Sequence, residues 1–471
     1  MAGLFSALNA ARTSLEVNQK SLEIVGNNIS NVNTEGYSRQ RSELSPYPSM
    51  NFGDFFIGQG VKVTNVKRDH DVFIQNQLVD KSSDFGFEDA QTRPLSELER
   101  IFAITEENIA TDVDRFFDSV QELSASPSDL VLRDQVIQRG ALLSTNFNNT
   151  INDLDTVTDN INDTLISKIE DINSKITEIA DLNDRIHLIE ISGQDANTAR
   201  DRRELLAKEL AVTVGAQTYY DSNNGMMTVQ LPAGLPLVQG NSAMSLEAVT
   251  TGAQLEIQLH AGGVTRTLNE RNIGGEFKGL TNLRDTFIPA LKEDLDKLSY
   301  EITTRFNTQH AAGAGLDGVG GRNFFNDPPN MVPVPPANAW DDAARTMSVA
   351  ITLSEQIAAA EDPYVGPGDN RNALLLSNLD EQPFMNGVDT FNSFYGKLTA
   401  RVGLATSQNE LSRQGAEDAV VQLENMRDSL AGVSLEEEMI DLITYQRGFE
   451  SSAKFLSTVD EMMNSLLSIK R

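Results

Sequence analysis

Apolar residues recur every seven positions at both ends of the chain. Leu8, Leu15, Leu22 and Ile29 form one stripe, with Leu4, Ala11, Val25 and Val32 in the companion position of the repeat. Leu435, Leu442, Phe449, Leu456 and Met463 form the other. This spacing predicts two helices with one apolar seam each, the requirement for a coiled coil. Seams at opposite termini predict a chain whose ends meet and whose other domains are insertions between them. The first helix should run from near Leu4 to near Val32 and stop at Asn33-Thr34-Glu35-Gly36, where glycine can take the left-handed conformation that ends helices. Asn18 occupies a seam position, where a buried amide can fix register between helices. Asn27, Asn28, Asn31 and Asn33 crowd the last turns, either for the same purpose or as caps of a fraying end.

Between the ends the period changes twice. Ser38 to Leu44 and Val61 to Val66 read as short strands, separated by the turn formers Pro46, Pro48, Gly53, Gly58 and Gly60. From about Asp71 to Leu210 the pattern is helical. Ile151, Leu154, Ile161, Leu165, Ile169, Ile172, Ile176, Ile179, Leu182, Ile186 and Ile189 trace one long amphipathic helix, interrupted after it by Ser192-Gly193. From Ala211 to Ile273 the period becomes two, with Asn224-Gly225 as a hairpin turn and Leu255, Ile257 and Leu259 alternating with polar residues. Helix returns from Phe277 to Ala312, and five prolines between 328 and 336 mark a loop or linker. The last long helices should span Ser393 to Leu430 and Leu435 to Ile469.

The expected fold is therefore mainly α, a long helical coiled-coil core formed by both termini and adjoining helices, with small β-rich insertion. Its expected domains are a terminal coiled coil (1–35 and 435–471), a helical core (36–210, 276–321 and 393–434), a β-rich insertion (211–275) and a loop-rich insertion (322–392).

Charge changes the picture of partners. The 471 residues include 38 lysines and arginines against 68 aspartates and glutamates, a net charge of −30. Such a surface excludes nucleic acid, whose phosphates are bound by lysine and arginine. Residues 1–41 and 435–471 together carry eight basic and ten acidic residues, so nearly all the excess lies in the middle. Nearly neutral ends can pack closely among copies of themselves while the acidic body faces water. Absence of cysteine removes disulfides and thiolate metal sites. The sequence shows neither a cleavable apolar leader nor an apolar run of membrane-spanning length, so no membrane insertion is expected and any export would need a route that leaves no cleaved signal.

Catalytic patterns are poor. His70, His187, His260 and His310 lie far apart and form no metal-binding pair, which makes each a surface or packing residue. Gly313 to Gly318 spells GxGxxG but follows a helix, so the helix N-terminus that would hold a pyrophosphate is missing. Asp153, Asp155, Asp159 and Asp163 keep a helical period and lack a calcium-loop glycine. No enzyme activity, cofactor or metal is expected.

The paired ends carry a more specific signal. Gly26-Asn27-Asn28-Ile29-Ser30-Asn31-Val32-Asn33-Thr34-Glu35-Gly36-Tyr37 resembles the N-terminal signature of flagellar axial proteins. Ser38-Arg39-Gln40-Arg41 directly after it is similar to the hook-associated protein 1 family. Leu435-Glu436-Glu437-Glu438-Met439, Tyr445-Gln446-Arg447 and Asp460-Glu461-Met462 resemble the matching C-terminal signature. Three internal blocks resemble that family too: Asp114 to Phe117 with Leu123, Ser124 and Pro127; Asp201 to Leu206 with Glu209 and Leu210; and Phe306-Asn307 with His310, Gly313 and Phe324-Phe325.

The resemblance implies a structural protein of the bacterial flagellum, extracellular, self-assembling as a tube at the hook tip between hook and filament. It implies copies of itself, the hook protein and the second hook–filament junction protein as partners. It also implies an export chaperone on the C-terminal amphipathic helix, at Leu442, Phe449 and Leu456. Leu4, Leu8, Leu15, Asn18, Leu22, Val25 and Ile29, with Leu435, Leu442, Phe449, Leu456 and Met463, would form the assembly interface. Because a lone helix pair buries little apolar surface, the termini are expected to be largely disordered in the monomer and to fold only when neighbouring copies offer more seams. A hook or distal rod protein shares the terminal signatures, although the long Ile151–Ile189 helix and Ser38 to Arg41 favour the junction family. A coiled-coil scaffold or signalling protein would explain the heptads alone, and an enzyme would need chemistry in the β insertion.

Overall fold

Long runs of three- and four-residue apolar spacing make helix the main element, and 64% of the chain is helical. The computed structural model describes residues 2–52, 55–103, 108–221, 225–251, 254–331, 333, 337–362 and 366–469. In chain order the elements are α1 (Ala2–Ser30), β1 (Gln40–Pro46), β2 (Met50–Phe52), β3 (Phe55–Ile57), β4 (Val61–Arg68), α2 (Val72–Ile101), α3 (Ile109–Ala125), α4 (Leu130–Ile191) and α5 (Asn197–Val214). The strands β5 (Gln217–Tyr220), β6 (Met227–Leu231), β7 (Leu235–Gln239), β8 (Ser242–Ala243), β9 (Ser245–Thr251), β10 (Gln254–Ala261) and β11 (Val264–Thr267) follow. Then come α6 (Gly275–Asn282), a π turn (Leu283–Phe287), α7 (Ile288–Ala312), α8 (Ala343–Thr346), α9 (Arg371–Ser377), α10 (Phe391–Ala431) and α11 (Leu435–Ile469).

These elements form two compact units. The first comprises residues 1–87, 168–278 and 414–471, and the second residues 88–167 and 279–413. In the first, β1 and β4 pair antiparallel with a register shift at Glu43/Leu44, and β2 pairs with β3. Residues 217–267 build two further antiparallel sheets, ordered β5-β6-β7-β8 and β11-β10-β9. Leu255, Ile257 and Leu259 of β10 are buried as their alternation requires. The predicted Asn-Gly turn lies partly outside the described residues. Beside it, Asp221 N donates to Met226 O at 2.9 Å, and Gly225 has φ +67°. The proline stretch 328–336 and Gly53 also fall partly or wholly outside the described residues.

The 62-residue α4 contains the predicted isoleucine row. Ile151, Leu154, Leu165, Ile172, Ile176 and Ile179 are all buried. In the second unit the motif aromatics converge: Phe116 lies 4.9 Å from Phe306 and Phe324 lies 4.7 Å from Phe325, centroid to centroid. Asn307 locks this core, because its Oδ1 accepts from the Phe324 and Phe325 amides while its Nδ2 donates to Phe325 O. His310 is a packing residue. Its Nδ1 lies 2.7 Å from Arg322 O, its Nε2 accepts from Ala358 N, and burial pushes its pKa down to about 4.

One carboxyl of this unit is poorly accommodated. Asp380 has a buried Oδ1 without a hydrogen-bond partner among the described residues. Burial, then the charges of Asp114 and Asp118 on α3 and of neighbouring Glu381, push its pKa up to about 6. A carboxyl raised in the folded state favours folding fully below its unfolded pKa, and that contribution is lost as pH rises through about 6. Asp380→Asn should therefore stabilise the protein at pH 7 by on the order of 1 kcal/mol, after discounting for solvent exposure, and leave it unchanged near pH 4. Thermal melts of both proteins at the two pH values check this.

Candidate assembly site

Both terminal helices lie in the first unit and pack against each other, and α1 also touches β1 and β4. Shared between two kinds of partner, α1 buries a wider face than a coiled-coil seam. Its most buried residues are Ala11, Thr13, Val17, Ser21, Val25 and Asn28. Leu4, Leu8, Leu15, Leu22 and Ile29 are half-buried beside them. On α11, Leu442, Phe449, Leu456 and Met463 are half-buried, Leu435 is exposed, and Glu438, Ser452 and Val459 are buried.

Small residues set the closest approach of the two helices. Ser14 Oγ and Ser452 Oγ share a 2.9 Å hydrogen bond across the pair. Asn18 donates to Ser14 O at 2.8 Å within α1, and its amide sits directly over Gly448, where a Cβ would come within 2.6 Å of Asn18 Oδ1. Gly448→Leu should force the helices apart at a cost of about 1–3 kcal/mol, whereas Gly448→Ala needs only a turn of the Asn18 amide. Denaturant midpoints of the two variants provide the comparison.

Beyond the last turn of α1 the chain reverses, and Gly36 takes the left-handed conformation expected of it, φ +77°. Asn27, Asn31 and Asn33 stay at the rim, where Asn31 bonds back to Asn27 O and Oδ1 as a local cap. Asn28 turns inward and uses its full amide capacity. Its Nδ2 donates to Gln40 O at 2.9 Å and Glu438 Oε2 at 3.0 Å, and its Oδ1 accepts from Tyr37 Oη at 2.8 Å and Gln40 N at 3.1 Å. Burial, helped by the charges of Asp201 and Glu438, pushes the Tyr37 hydroxyl up to about 12.

Arg39 completes the link to the other terminus. Its Nε donates to Glu438 Oε1 at 2.5 Å, Nη1 to Glu437 Oε2 at 2.5 Å and Nη2 to Asp441 Oδ2 at 3.3 Å. The Arg39 side chain is 8% exposed and that of Glu438 1%. Arg39 N also donates to Ala431 O, at the end of α10. Glu438 sits in the first turn of α11, where the helix dipole favours a negative charge.

A second knot holds the same loop from the other side. Ser38 N donates to Asp201 Oδ2 on α5 at 3.2 Å. Arg68 of β4 donates from Nη1 to Asp201 Oδ1 at 2.6 Å and Glu204 Oε2 at 2.8 Å, and from Nη2 to Glu204 Oε1. Tyr220 Oη also donates to Glu204. Burial pushes Asp201 up despite Arg68, while for Glu204 the bonds and charge of Arg68 outweigh burial and hold the carboxyl below its usual value. Three sequence blocks, the N-terminal signature, Asp201 to Leu206 and the C-terminal signature, thus meet within four residues, Tyr37 to Gln40. Sequence reading did not single out Ser14, Gly448, Ser452 or the partners of Arg39. A basic residue in one signature and an acidic run in the other were the signal available for the last.

Some apolar side chains of α11 face solvent. Met439, Ile440, Ile443 and Phe455 of α11 are each between 46% and 64% exposed. No helix among the described residues is long and apolar enough to cross a membrane.

Three family models match separate stretches of the chain. A family model described as "Flagellar hook-associated protein FlgK helical domain" matches residues 95–325. Models for "Flagella basal body rod protein" and "Flagellar basal body rod FlgEFG protein C-terminal" match residues 5–37 and 429–469, the two joined ends. The flagellar hook-associated protein 1 of Escherichia coli (strain K12) is 26% identical over 99% of this chain and 100% of its own length. The chain belongs to the flagellar hook-associated protein 1 family. The family member of Bacillus subtilis (strain 168) is 25% identical over 99% of this chain and 98% of its own. The flagellar hook junction protein FlgK from Burkholderia pseudomallei shares the fold, with a TM-score of 0.67 at 17% identity over 76% of this chain and all of that one. The flagellar basal-body rod protein FlgC of Borreliella burgdorferi (strain ATCC 35210 / DSM 4680 / CIP 102532 / B31) is 34% identical over 14% of this chain and 54% of its own length.

Proposed function

We propose that this chain is a structural axial protein of the bacterial flagellum, outside the cell, which assembles at the hook tip as the adaptor between hook and filament. The observation that carries the reading is the tie between Asn28 and Arg39 of one axial signature and Glu438 of the other. It fastens two long helices side by side and leaves Met439, Ile440, Ile443 and Phe455 of α11 for other chains. The full-length similarity to hook-associated protein 1 favours the junction over a hook or rod role.

Its partners are copies of itself in a tubular ring, the hook protein on one side and the second junction protein on the other. Its role is mechanical, not catalytic. The half-buried Leu442, Phe449 and Leu456 become available to an export chaperone when α11 is released from α1, which fits a subunit exported unfolded. The terminal coiled coil (1–35 and 435–471) then orders fully only among neighbouring copies. Deleting the coding sequence tests the reading. Hooks of normal length without filaments support the adaptor, and normal filaments on normal hooks would refute it. Loss of chaperone binding on truncating residues 435–471 tests the C-terminal site.

A further inference from the structure

Two Asn-Gly pairs occur in the sequence, Asn224-Gly225 and Asn386-Gly387. The first lies partly outside the described residues, and the second forms the tip of a tight reversal just before α10, in the second unit. Val388 N donates to Met385 O at 3.2 Å across the tip. Below it Met385 N donates to Asp389 O at 2.9 Å, and Asp389 N to Met385 O at 3.0 Å. Both central residues take positive φ, +53° at Asn386 and +72° at Gly387, the pattern for which Asn-Gly is favoured.

The tip leaves two reactive neighbours unprotected. Asn386, Gly387 and Val388 are all exposed. Neither the Asn386 carboxamide nor the Gly387 N–H takes a hydrogen bond among the described residues. Glycine has no side chain to shield its nitrogen, and a Cβ placed on Gly387 would meet no atom within 4 Å, so no other segment covers it.

We propose that Asn386 is a site of spontaneous covalent modification, where the carboxamide gives way to an isoaspartyl linkage. Gly387 N passes its proton to hydroxide and attacks Asn386 Cγ. The new N–C bond closes a five-membered imide, and the bond from Cγ to the side-chain nitrogen breaks, so that nitrogen leaves as ammonia. Water then opens the ring. Attack at the Asn386 backbone carbonyl routes the chain through Cγ as isoaspartate, and attack at Cγ yields ordinary aspartate. No oxidant, reductant or enzyme enters, so the converted fraction records the age of a chain.

Conversion to isoaspartate lengthens the backbone by one methylene at the tip, and the paired bonds between Met385 and Asp389 lose their register. Asp389 is what the reversal presents to α10, accepting from Ser393 Oγ at 3.1 Å and from Lys397 Nζ at 2.8 and 2.7 Å. Ageing therefore loosens the start of α10.

Full-length folded protein held in heavy-oxygen water, then mapped by peptide mass spectrometry with an isoaspartyl methyltransferase marking the rearranged linkage, tests this. One heavy oxygen and the methyl mark should accumulate in the peptide containing residue 386, faster at pH 8 than at pH 6. The peptide containing Asn33, exposed but followed by Thr34, should stay unlabelled over the same period. Asn386→Gln should abolish both marks at 386. Aged wild-type protein should exchange its amide hydrogens faster over residues 385–397 than fresh protein or the aged Gln variant. Residue 386 unlabelled in the folded chain, labelled only after unfolding in urea, or labelled no faster than Asn33 overturns the site. Unchanged exchange in fully converted chains overturns its effect on α10.

Discussion

Arg39→Met is expected to cost about 3–5 kcal/mol, because it strands the carboxylate of Glu438, 1% exposed, without its cation. The loss should appear in α1 and α11 first, since Arg39 is what ties the loop after α1 to the first turn of α11. Amide exchange followed by mass spectrometry should show faster exchange over both terminal helices and little change at Phe306 or Phe324. Asn28 would keep one bond to Glu438, but a neutral amide cannot replace a guanidinium held among three carboxylates. Pairing Arg39→Met with Glu438→Leu should recover much of the loss, because no buried charge then remains unpaired. An unchanged unfolding midpoint for Arg39→Met alone would mean that the knot is ornamental to stability.

Arg68→Met should be equally severe at pH 7, about 3–5 kcal/mol, and should also change the pH dependence. In the wild type the depressed Glu204 pKa contributes stability above its unfolded value, lost as pH falls through the folded one. Asp201 works in the opposite sense, its raised pKa costing stability as pH rises. Without Arg68, burial would raise both carboxyls, and the variant should become more stable at pH 5 than at pH 8. Urea denaturation of both proteins across that interval decides the matter. A variant that parallels the wild type at every pH would show that Arg68 does not set the protonation of Asp201 and Glu204.

Much of the architecture was legible because it is local. The isoleucine row of α4, the alternation in β10 and the left-handed Gly36 follow from backbone geometry and burial within one element. The axial signatures were likewise visible as residues. What the sequence could not display was the face that α1 shows to α11. A heptad argument assumes a helical partner alone, whereas α1 also packs against β1 and β4, which turns Val17, Ser21 and Asn28 inward and leaves Leu8, Leu15 and Leu22 half-buried.

The charged knots were illegible for a related reason. Glu436, Glu437 and Glu438 read alike as a first-turn acidic run favoured by the helix dipole. Only the reversal at Gly36, which brings Arg39 back over α11, distinguishes the buried Glu438 from its exposed neighbours. Asp201 and Glu204 likewise look like surface charges on α5 until Arg68 arrives from a strand more than a hundred residues away.

The joined termini should belong to an adaptor at the end of the hook. Isolated hook-basal bodies bearing an epitope in the β9–β10–β11 sheet, labelled with gold-conjugated antibody and viewed by electron microscopy, test it most directly. A single band of label is expected at the distal end of the hook, where the filament begins, and should be lost with Arg39→Met. Label spread along the hook, or confined to the rod, would contradict it.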